Sequence, residues 1–340
     1  MSFVRLDPRD VVVSSEAVST VVWSTNTPTA TTFEKSSLQQ LTSTANYYTN
    51  VYLADPEESD IQFAIAYGDV YGYGEIPFNP TTPYRTPSST IYNQMRNLIL
   101  GDEENTFDFG GYTSEHFYAI TMERSRYGEK LMPGTFELKL TNGSDSISII
   151  DDSSVNDVVK FKESGRVVEL VLGTIDGGVD TTYNSNGYTN KSGSYGWMLP
   201  DVGVILLNGS ALDSAVADGG LNLGTVRGSV STISNKNHNK VFDAIEAGAS
   251  FTLRAEETIT SNYIFCRARS DEFNYSTNPS MISGSTGDIR YEDMIYSPRT
   301  YATTIGIYND NNDLLAVAKM SKPLQKDFTK EALVRIKLDF

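Results

Sequence analysis

The side chains of this sequence that could do chemistry are few and far apart. It contains two histidines, His116 and His238, and one cysteine, Cys266. Catalysis by histidine needs a nucleophile or a second acid or base within hydrogen-bond reach. No motif supplies one: His116 falls inside a strand pattern, and His238 lies in a polar segment that we expect to be exposed. We therefore assign His116 a structural role and predict that the chain is not an enzyme.

Motifs for metals, cofactors and nucleophiles point the same way. Two histidines and one cysteine are too few for a zinc site of the His/Cys type. Residues 310–313 resemble the start of a calcium loop, but Ser321 stands where that loop needs glutamate. The segments 193–196 and 284–287 lack the central serine of a nucleophile elbow. We expect no metal and no cofactor.

Acidic pairs are the remaining catalytic candidates. The segments 102–104 and 151–152 are acidic and fall in predicted loops. Two carboxylates can hydrolyse a glycosidic bond, but no other feature of the sequence indicates a sugar cleft. We interpret both segments as solvated surface and keep a glycan hydrolase as the weakest of three hypotheses.

The charge of the chain restricts its partners. Its 340 residues include 27 Lys and Arg against 43 Asp and Glu, which gives a formal net charge of −16. Phosphate backbones and anionic membranes are bound by clustered cations, so we expect neither nucleic acid nor membrane as a partner. The sequence has no run of about 18 apolar residues, so we expect no transmembrane helix. The first residues lack the apolar region of a secretion signal, so we expect synthesis in a cytoplasm.

Two segments have helical patterns. In the first, Thr86 can cap the helix, Pro87 suits its first position and Gly101 can end it. Apolar residues recur there at helical spacing from Ile91 to Ile99. The second spans 236–247, and we expect Gly248 to stop it.

Strands dominate the rest of the sequence. Apolar or alternating segments bounded by Gly, Asn and Asp predict them. These segments are 61–68, 115–122, 135–140, 146–150, 167–172, 202–207, 263–268, 303–308, 314–319 and 334–340. Asn309–Asp313 has the composition of a hairpin turn. The strict alternation of 334–340 indicates that the end of the sequence is built into a sheet.

These patterns predict a mainly-β fold with two short helices. We expect the N- and C-terminal segments, 46–140 plus 259–340, to form one core, for which the family resemblance described below implies a β-sandwich. Residues 141–258 form an inserted β-rich domain in this interpretation. Residues 1–45, which are rich in Ser, Thr and Val, form an extended N-terminal arm.

Aromatic residues are the unusual part of the composition. The sequence has 20 Tyr and 15 Phe, and large amphipathic rings are enriched at protein interfaces. Tyr71 and Tyr73 alternate with glycines in the predicted loop 68–74. Our candidate interface residues are Tyr67, Tyr71, Tyr73, Tyr84, Phe273, Tyr275 and Tyr301.

Several of the most distinctive segments resemble virion structural proteins of contractile-tailed, T-even-like phages. The segments are Asp60–Gly68, Ile91–Ile99, Glu123–Tyr127, Leu131–Gly134, Arg267–Arg269, Phe273–Pro279 and Tyr301–Phe340. The resemblance covers residues 45–140 and 260–340. It is greatest to the baseplate wedge subunits of the gene product eight type, and 141–258 resembles no family.

The resemblance implies a structural role without catalytic residues. It implies a β-sandwich subunit of the virion that forms a homodimer within each wedge and links neighbouring baseplate proteins. An alternative remains open, in which the chain is a tail fibre or receptor-binding module. In that case the Tyr- and Gly-rich loops would contact host-surface glycan.

Overall fold

The structure is a computed structural model, and it describes residues 3–36, 47–57, 59–76, 78–156, 158–180, 188, 193–230 and 236–339. It divides into two compact units. The central unit is Val18–Glu257, and the terminal unit combines both ends of the sequence, Met1–Ala17 and Thr258–Phe340. The predicted mainly-β fold with few short helices is confirmed.

Most described strands belong to the central unit. They are β2 (Thr29–Ala30), β3 (Glu34–Lys35), β4 (Tyr48–Tyr52), β5 (Phe63–Asp69), β6 (Phe107–Phe109), β7 (Tyr112–Ser114), β8 (His116–Met122), β9 (Lys130–Leu131), β10 (Glu137–Asn142), β11 (Asp145–Asp151), β12 (Lys160–Lys162), β13 (Gly165–Thr174), β14 (Gly178–Val179), β15 (Gly196–Leu199), β16 (Val204–Asn208) and β17 (Phe251–Thr252). Two strands run from one unit into the other along the chain: β1 (Val11–Val21) and β18 (Arg254–Ala268).

One antiparallel sheet organises the central unit. Its order is β2-β17-β10-β11-β13-β15-β16-β8-β5-β4-β3, with β12 and β14 pairing beside β13. The middle of this sheet is apolar on both faces, since alternate residues of β8 join two separate hydrophobic clusters. Tyr118 and Ile120 belong to one cluster, and Phe117 and Ala119 to the other. A sheet that buries both faces needs a cover on each side.

The two long helices supply these covers. Helix α1 (Pro87–Leu100) contributes Ile91 and Tyr92 to the cluster of Phe117, and Tyr92 stacks on the Phe117 ring with centroids 5.3 Å apart. Three helices of four or five residues also occur in the described part of the chain: α2 (Arg124–Tyr127), α3 (Gly209–Asp213) and α5 (Asp293–Tyr296). The second long helix, α4 (Asn237–Gly248), packs Val241 and Phe242 on the opposite face.

The predicted domain division differs from the observed one. Strands from 46–140 and from 141–258 interleave in one sheet, because β16 pairs with β8 and β11 pairs with β10. Residues 141–257 therefore belong to the same core as 46–140 and are not an inserted domain. The expected arm at 1–45 is also wrong for residues 18–36, since Trp23, Ala30 and Phe33 are buried in the central core.

The terminal unit contains two small sheets. In the first, β18 pairs on one side with β1 and on the other with β21 (Ala332–Asp339). This pairing confirms that the predicted terminal strand lies in a sheet as far as Asp339, and Phe340 lies outside the described residues. The second is a hairpin of β19 (Thr300–Tyr308) and β20 (Leu314–Lys326), joined by the predicted turn with Asn312 at φ 65°.

Candidate interaction surfaces

Three of the predicted interface residues meet in one loop of the central unit. We call residues 70–76 and 78–86, between β5 and α1, the aromatic loop. The ring centroid of Tyr71 lies 5.7 Å from that of Tyr73 and 6.0 Å from that of Tyr84, and Phe78 lies 4.8 Å from Tyr73. The Tyr84 side chain is exposed, and the other three rings are partly buried. The loop therefore presents a connected aromatic surface.

Asp69 fixes the start of this loop from inside the protein. Its carboxylate is completely buried and accepts four hydrogen bonds. Oδ1 accepts from the backbone N–H groups of Tyr71 at 2.9 Å and Tyr73 at 3.2 Å. Oδ2 accepts from the Tyr67 hydroxyl at 3.2 Å and from Arg227 Nε at 2.9 Å. These four hydrogen bonds tie the start of the loop to the end of β5 and to Arg227.

Tyr67 is consequently a core residue and not an interface residue. Its ring is fully buried in the same hydrophobic cluster as Tyr118, and the two ring centroids lie 5.2 Å apart. Burial first, and then the charge of Asp69, raise the pKa of Tyr67 well above its usual value. The prediction that Tyr67 is an interface residue is therefore wrong, because its ring belongs to the core and not to the exposed aromatic surface.

Arg227 joins the aromatic loop to an acidic neighbour. Its Nη1 donates to Glu115 Oε2 at 2.7 Å, and its guanidinium lies 5.1 Å from the Tyr73 ring centroid and 5.9 Å from that of Tyr71. The Tyr71 hydroxyl donates to Glu115 Oε1 at 3.3 Å, and the charge of Glu115 raises the pKa of Tyr71. Partly exposed donors and acceptors thus border the rings. No local sequence pattern indicated Arg227, which follows Asp69 by more than 150 positions.

Backbone hydrogen bonds hold the rest of the loop. Thr86 Oγ1 donates to the Gly72 carbonyl at 2.8 Å, and Ser88 Oγ donates to the Tyr73 carbonyl at 2.9 Å. Tyr84 adopts φ 72°, a left-handed conformation that is unfavourable for a large side chain. Its N–H donates to the Tyr71 carbonyl at 3.1 Å. The surrounding contacts therefore impose a strained backbone that points an exposed ring outward.

A buried ion pair fastens the same loop to helix α4. Glu75 Oε2 lies 2.7 Å from Lys236 Nζ, and both side chains are 1% exposed. Burial raises the pKa of Glu75, while the ammonium of Lys236 opposes this change. No local sequence pattern predicts this pair, because its members are distant in the chain and neither belongs to a motif.

The other three predicted interface residues lie in the terminal unit. Phe273, Tyr275 and Tyr301 are all exposed. Lys326 Nζ connects their segments by donating to the Asn274 side chain at 2.9 Å, although Lys326 itself is buried.

The hairpin of the terminal unit carries a second, more apolar surface. Tyr308 and Leu314 lie over Gly306, and Val317 pairs with Gly306, so these side chains share one face. The Phe3 ring packs edge-on against Tyr308 at 5.1 Å. Phe3, Leu314 and Val317 are 59%, 52% and 58% exposed. We call Phe3, Tyr308, Leu314 and Val317 the hairpin face.

The predicted solvent exposure is wrong for the acidic segment 151–152, whereas Glu103 and Glu104 of the other acidic segment are exposed. Asp151 and Asp152 are buried, because both serve as acceptors for backbone N–H groups. Asp151 accepts from Gly134 at 2.8 Å and from Phe136 at 3.2 Å, and Asp152 accepts from Glu169 at 3.1 Å. These bonds give the acidic pair a structural task at the end of β11.

The histidines are both buried. His116 Nε2 lies 3.2 Å from Asp213 Oδ2, and Asp213 also accepts from Thr225. Burial alone would raise the pKa of Asp213, but the hydrogen bonds from His116 and Thr225 outweigh it and lower the pKa. His238 is not exposed as predicted: burial, with the charges of Lys236 and Lys35, lowers its pKa to about 3.

Within the described residues, no cluster of three or more His, Cys, Asp or Glu side chains could hold a metal ion. No helix in the same part of the chain is both long enough and apolar enough to cross a membrane. Comparisons with models of protein families, with curated proteins and with solved structures find no match to this chain.

Proposed function

We propose that the chain is a structural subunit of a contractile phage tail baseplate, a wedge component that links neighbouring baseplate proteins. The resemblance of residues 45–140 and 260–340 to such virion proteins supports the phage assignment. The hairpin face of the terminal unit is the observation that carries the linking role.

The terminal unit buries very little apolar surface of its own. Among its described hydrophobic residues, Ile264 and Ile336 are the two that are buried. Its long strands β19 and β20 pair only with each other in the described part of the chain, so each has a free edge. Isolated two-stranded sheets are marginally stable in water, and exposed strand edges are sites of pairing with other chains. A partner that covers the hairpin would supply the missing core.

The size of this contribution can be worked from exposure. Leu314 and Val317 each leave about half of the side chain in water. Covering that half contributes about 1 kcal/mol per residue, since complete burial of such a side chain contributes about 1.5–3 kcal/mol. The two residues together account for about a 30-fold change in affinity.

Charge along β20 favours a particular kind of neighbour. The strand carries Lys319, Lys322 and Lys326 and no acidic side chain. Of these, Lys319 and Lys322 are exposed. An acidic protein surface with an apolar centre fits this arrangement, because complementary charge increases the rate and specificity of association.

Mass spectrometry of purified tailed particles from the source of the chain tests the assignment. We expect the chain in intact particles and in isolated baseplates, and its absence from both would refute the proposed function.

A variant with Leu314→Gln and Val317→Thr tests the linking role. It removes apolar surface without adding charge, so we expect folded protein whose incorporation into particles falls about 30-fold. Val158→Thr with Val159→Thr is the matched control, since these valines are also exposed but lie in the central unit. Equal incorporation of the two variants would show that the hairpin face does not carry the assembly contact.

A further inference from the structure

We propose that the aromatic loop of the central unit is a binding site for an uncharged sugar, with a pyranose ring stacked on Tyr84 and its hydroxyls bound by the polar border of the loop. This site is separate from the hairpin face and does not depend on the proposed baseplate role.

The conformation of Tyr84 is the first argument. Its left-handed φ of 72° costs about 1–3 kcal/mol for a non-glycine residue. Its side chain is 56% exposed, so burial of the ring does not offset this cost. Glycine would adopt the same backbone without strain. A tyrosine held outward at such a position fits a role for its exposed ring.

The second argument is the fixed geometry around that ring. Asp69 accepts from the backbone N–H groups of Tyr71 and Tyr73. Thr86 and Ser88 donate to the carbonyls of Gly72 and Tyr73. The aromatic surface therefore exists before any ligand arrives. Binding loses less conformational entropy when the site is already ordered.

The chemistry of the border favours a sugar. A pyranose ring has a face of C–H groups and a rim of hydroxyls, so it needs an aromatic plane beside donors and acceptors. Glu115 and Arg227 supply charged acceptors and donors next to Tyr71, and their side chains are 47% and 31% exposed. Asn79, Thr81 and Thr82 add exposed polar side chains on the same loop.

Other ligand classes fit this border less well. The centre of a protein interface is depleted of charged residues, whereas the Arg227–Glu115 pair lies directly beside the rings. A polyanion would meet the carboxylate of Glu115 and a chain with a net charge of −16. These features favour an uncharged glycan.

Saturation-transfer NMR on the full-length chain tests the proposal. The probes are neutral oligosaccharides of glucose, galactose, mannose and N-acetylglucosamine at millimolar concentration. We expect transfer to the C–H face of at least one of them. Tyr84→Gly should weaken that binding about tenfold or more and should not lower thermal stability, because glycine relieves the strained φ. Tyr84→Phe, which keeps the ring, should retain binding.

Tyr296→Ala is the matched control, since Tyr296 is 87% exposed and belongs to the terminal unit. It should bind like the wild type. Absence of transfer to every probe would overturn the proposal, as would equal binding by Tyr84→Gly and the wild type. If no sugar binds and Tyr84→Gly instead abolishes incorporation into particles, the loop is a protein contact, and the proposed baseplate role survives while the sugar site does not.

Discussion

Replacing Arg227 by alanine should leave the buried carboxylate of Asp69 without its cationic partner. The wild-type pair is joined at 2.9 Å, and Asp69 is fully buried. The substitution also removes the link to Glu115 and the contact with the Tyr73 ring. The central unit should therefore become less stable, and the aromatic loop should be the part that loosens first.

The expected loss is about 2–3 kcal/mol. Breaking a fully buried ion pair costs about 3–5 kcal/mol. Two features reduce this figure here: Asp69 keeps its three other hydrogen bonds, and Arg227 is 31% exposed, so water partly replaces it. With a denaturant dependence on the order of 3 kcal/mol per molar urea, the unfolding midpoint should fall by about 0.7–1 M.

Tryptophan fluorescence in urea measures the unfolding midpoint of the central unit. The chain has two tryptophans, Trp23 and Trp197, and both are buried in the central unit. Arg85→Ala is the control, because Arg85 is an exposed arginine on the same loop. Substitution of such a surface residue should change the free energy of unfolding by no more than about 0.5 kcal/mol.

A second substitution separates loss of the charge pair from loss of packing. Asp69→Asn in the Arg227→Ala background removes the uncompensated charge, while its side-chain oxygen can still accept the backbone N–H groups. We expect the double variant to recover about 1 kcal/mol or more relative to Arg227→Ala. If Arg227→Ala matches the Arg85→Ala control, or if the double variant recovers nothing, the reasoning about a buried, charge-dependent anchor is refuted.

Three further outcomes are expected. Gly196→Ala should destabilise the central unit by more than about 3 kcal/mol in urea unfolding. Gly196 has φ 141°, and a Cβ there would collide with the Leu206 carbonyl. Gly228→Ala is the control and should change stability little, because a Cβ at Gly228 meets no other atom. The pKa of Asp213 is lowered from 3.8, so its ionised form stabilises the fold above that pH. This stabilisation is lost as the pH falls from 3.8 through the lower pKa of the folded state. The free energy of unfolding should therefore fall less below pH 3.8 in Asp213→Asn than in the wild type. Burial first, and then Asp10, raise the pKa of Cys266, so its reaction with a thiol reagent at pH 8 should be slower in the folded chain than in urea, and equal rates would contradict this burial.

Helix α1 shows how well local signals predict structure. The expected start at Pro87 and end at Gly101 are both observed, and Gly101 has the left-handed φ of 64° that ends a helix. The role of Thr86 differs, because its hydroxyl makes no cap bond and instead donates to the Gly72 carbonyl. Thr86 therefore makes a tertiary hydrogen bond in place of the local cap bond, and no local sequence pattern predicts this difference.

At Gly248, too, a tertiary contact decides what the local pattern does not predict. Gly248 was predicted to stop the helix, but it is the last helical residue, and Ala249 adopts the left-handed conformation at φ 49°. A Cβ on Gly248 would collide with the carbonyl of Lys139 in β10. The glycine is thus required by close helix–sheet packing.

Long-range partners explain what the sequence could not predict. Strand positions follow from alternation and turn composition, which are local, and each of the ten predicted segments overlaps an observed strand. Shorter strands such as β4 and β15 were missed. The order of the strands depends on long-range packing between apolar faces. No local sequence pattern therefore predicts that the strands of 46–140 and 141–257 interleave in one sheet. Arg227 and Lys236 were missed for the same reason, since each has its acidic partner far away in the sequence.

The composition of the terminal unit sets an order of events during synthesis. The central unit, Val18–Glu257, is available as soon as its last residue leaves the ribosome, whereas strands β19, β20 and β21 are made afterwards. Domains generally fold in the order in which they are synthesised. Strand β1 must wait for β18 before it can pair, and the hairpin face is completed only when Val317 has been made, after the whole central unit. The exposed apolar side chains of the hairpin face therefore appear only when the body of the protein has already had time to fold.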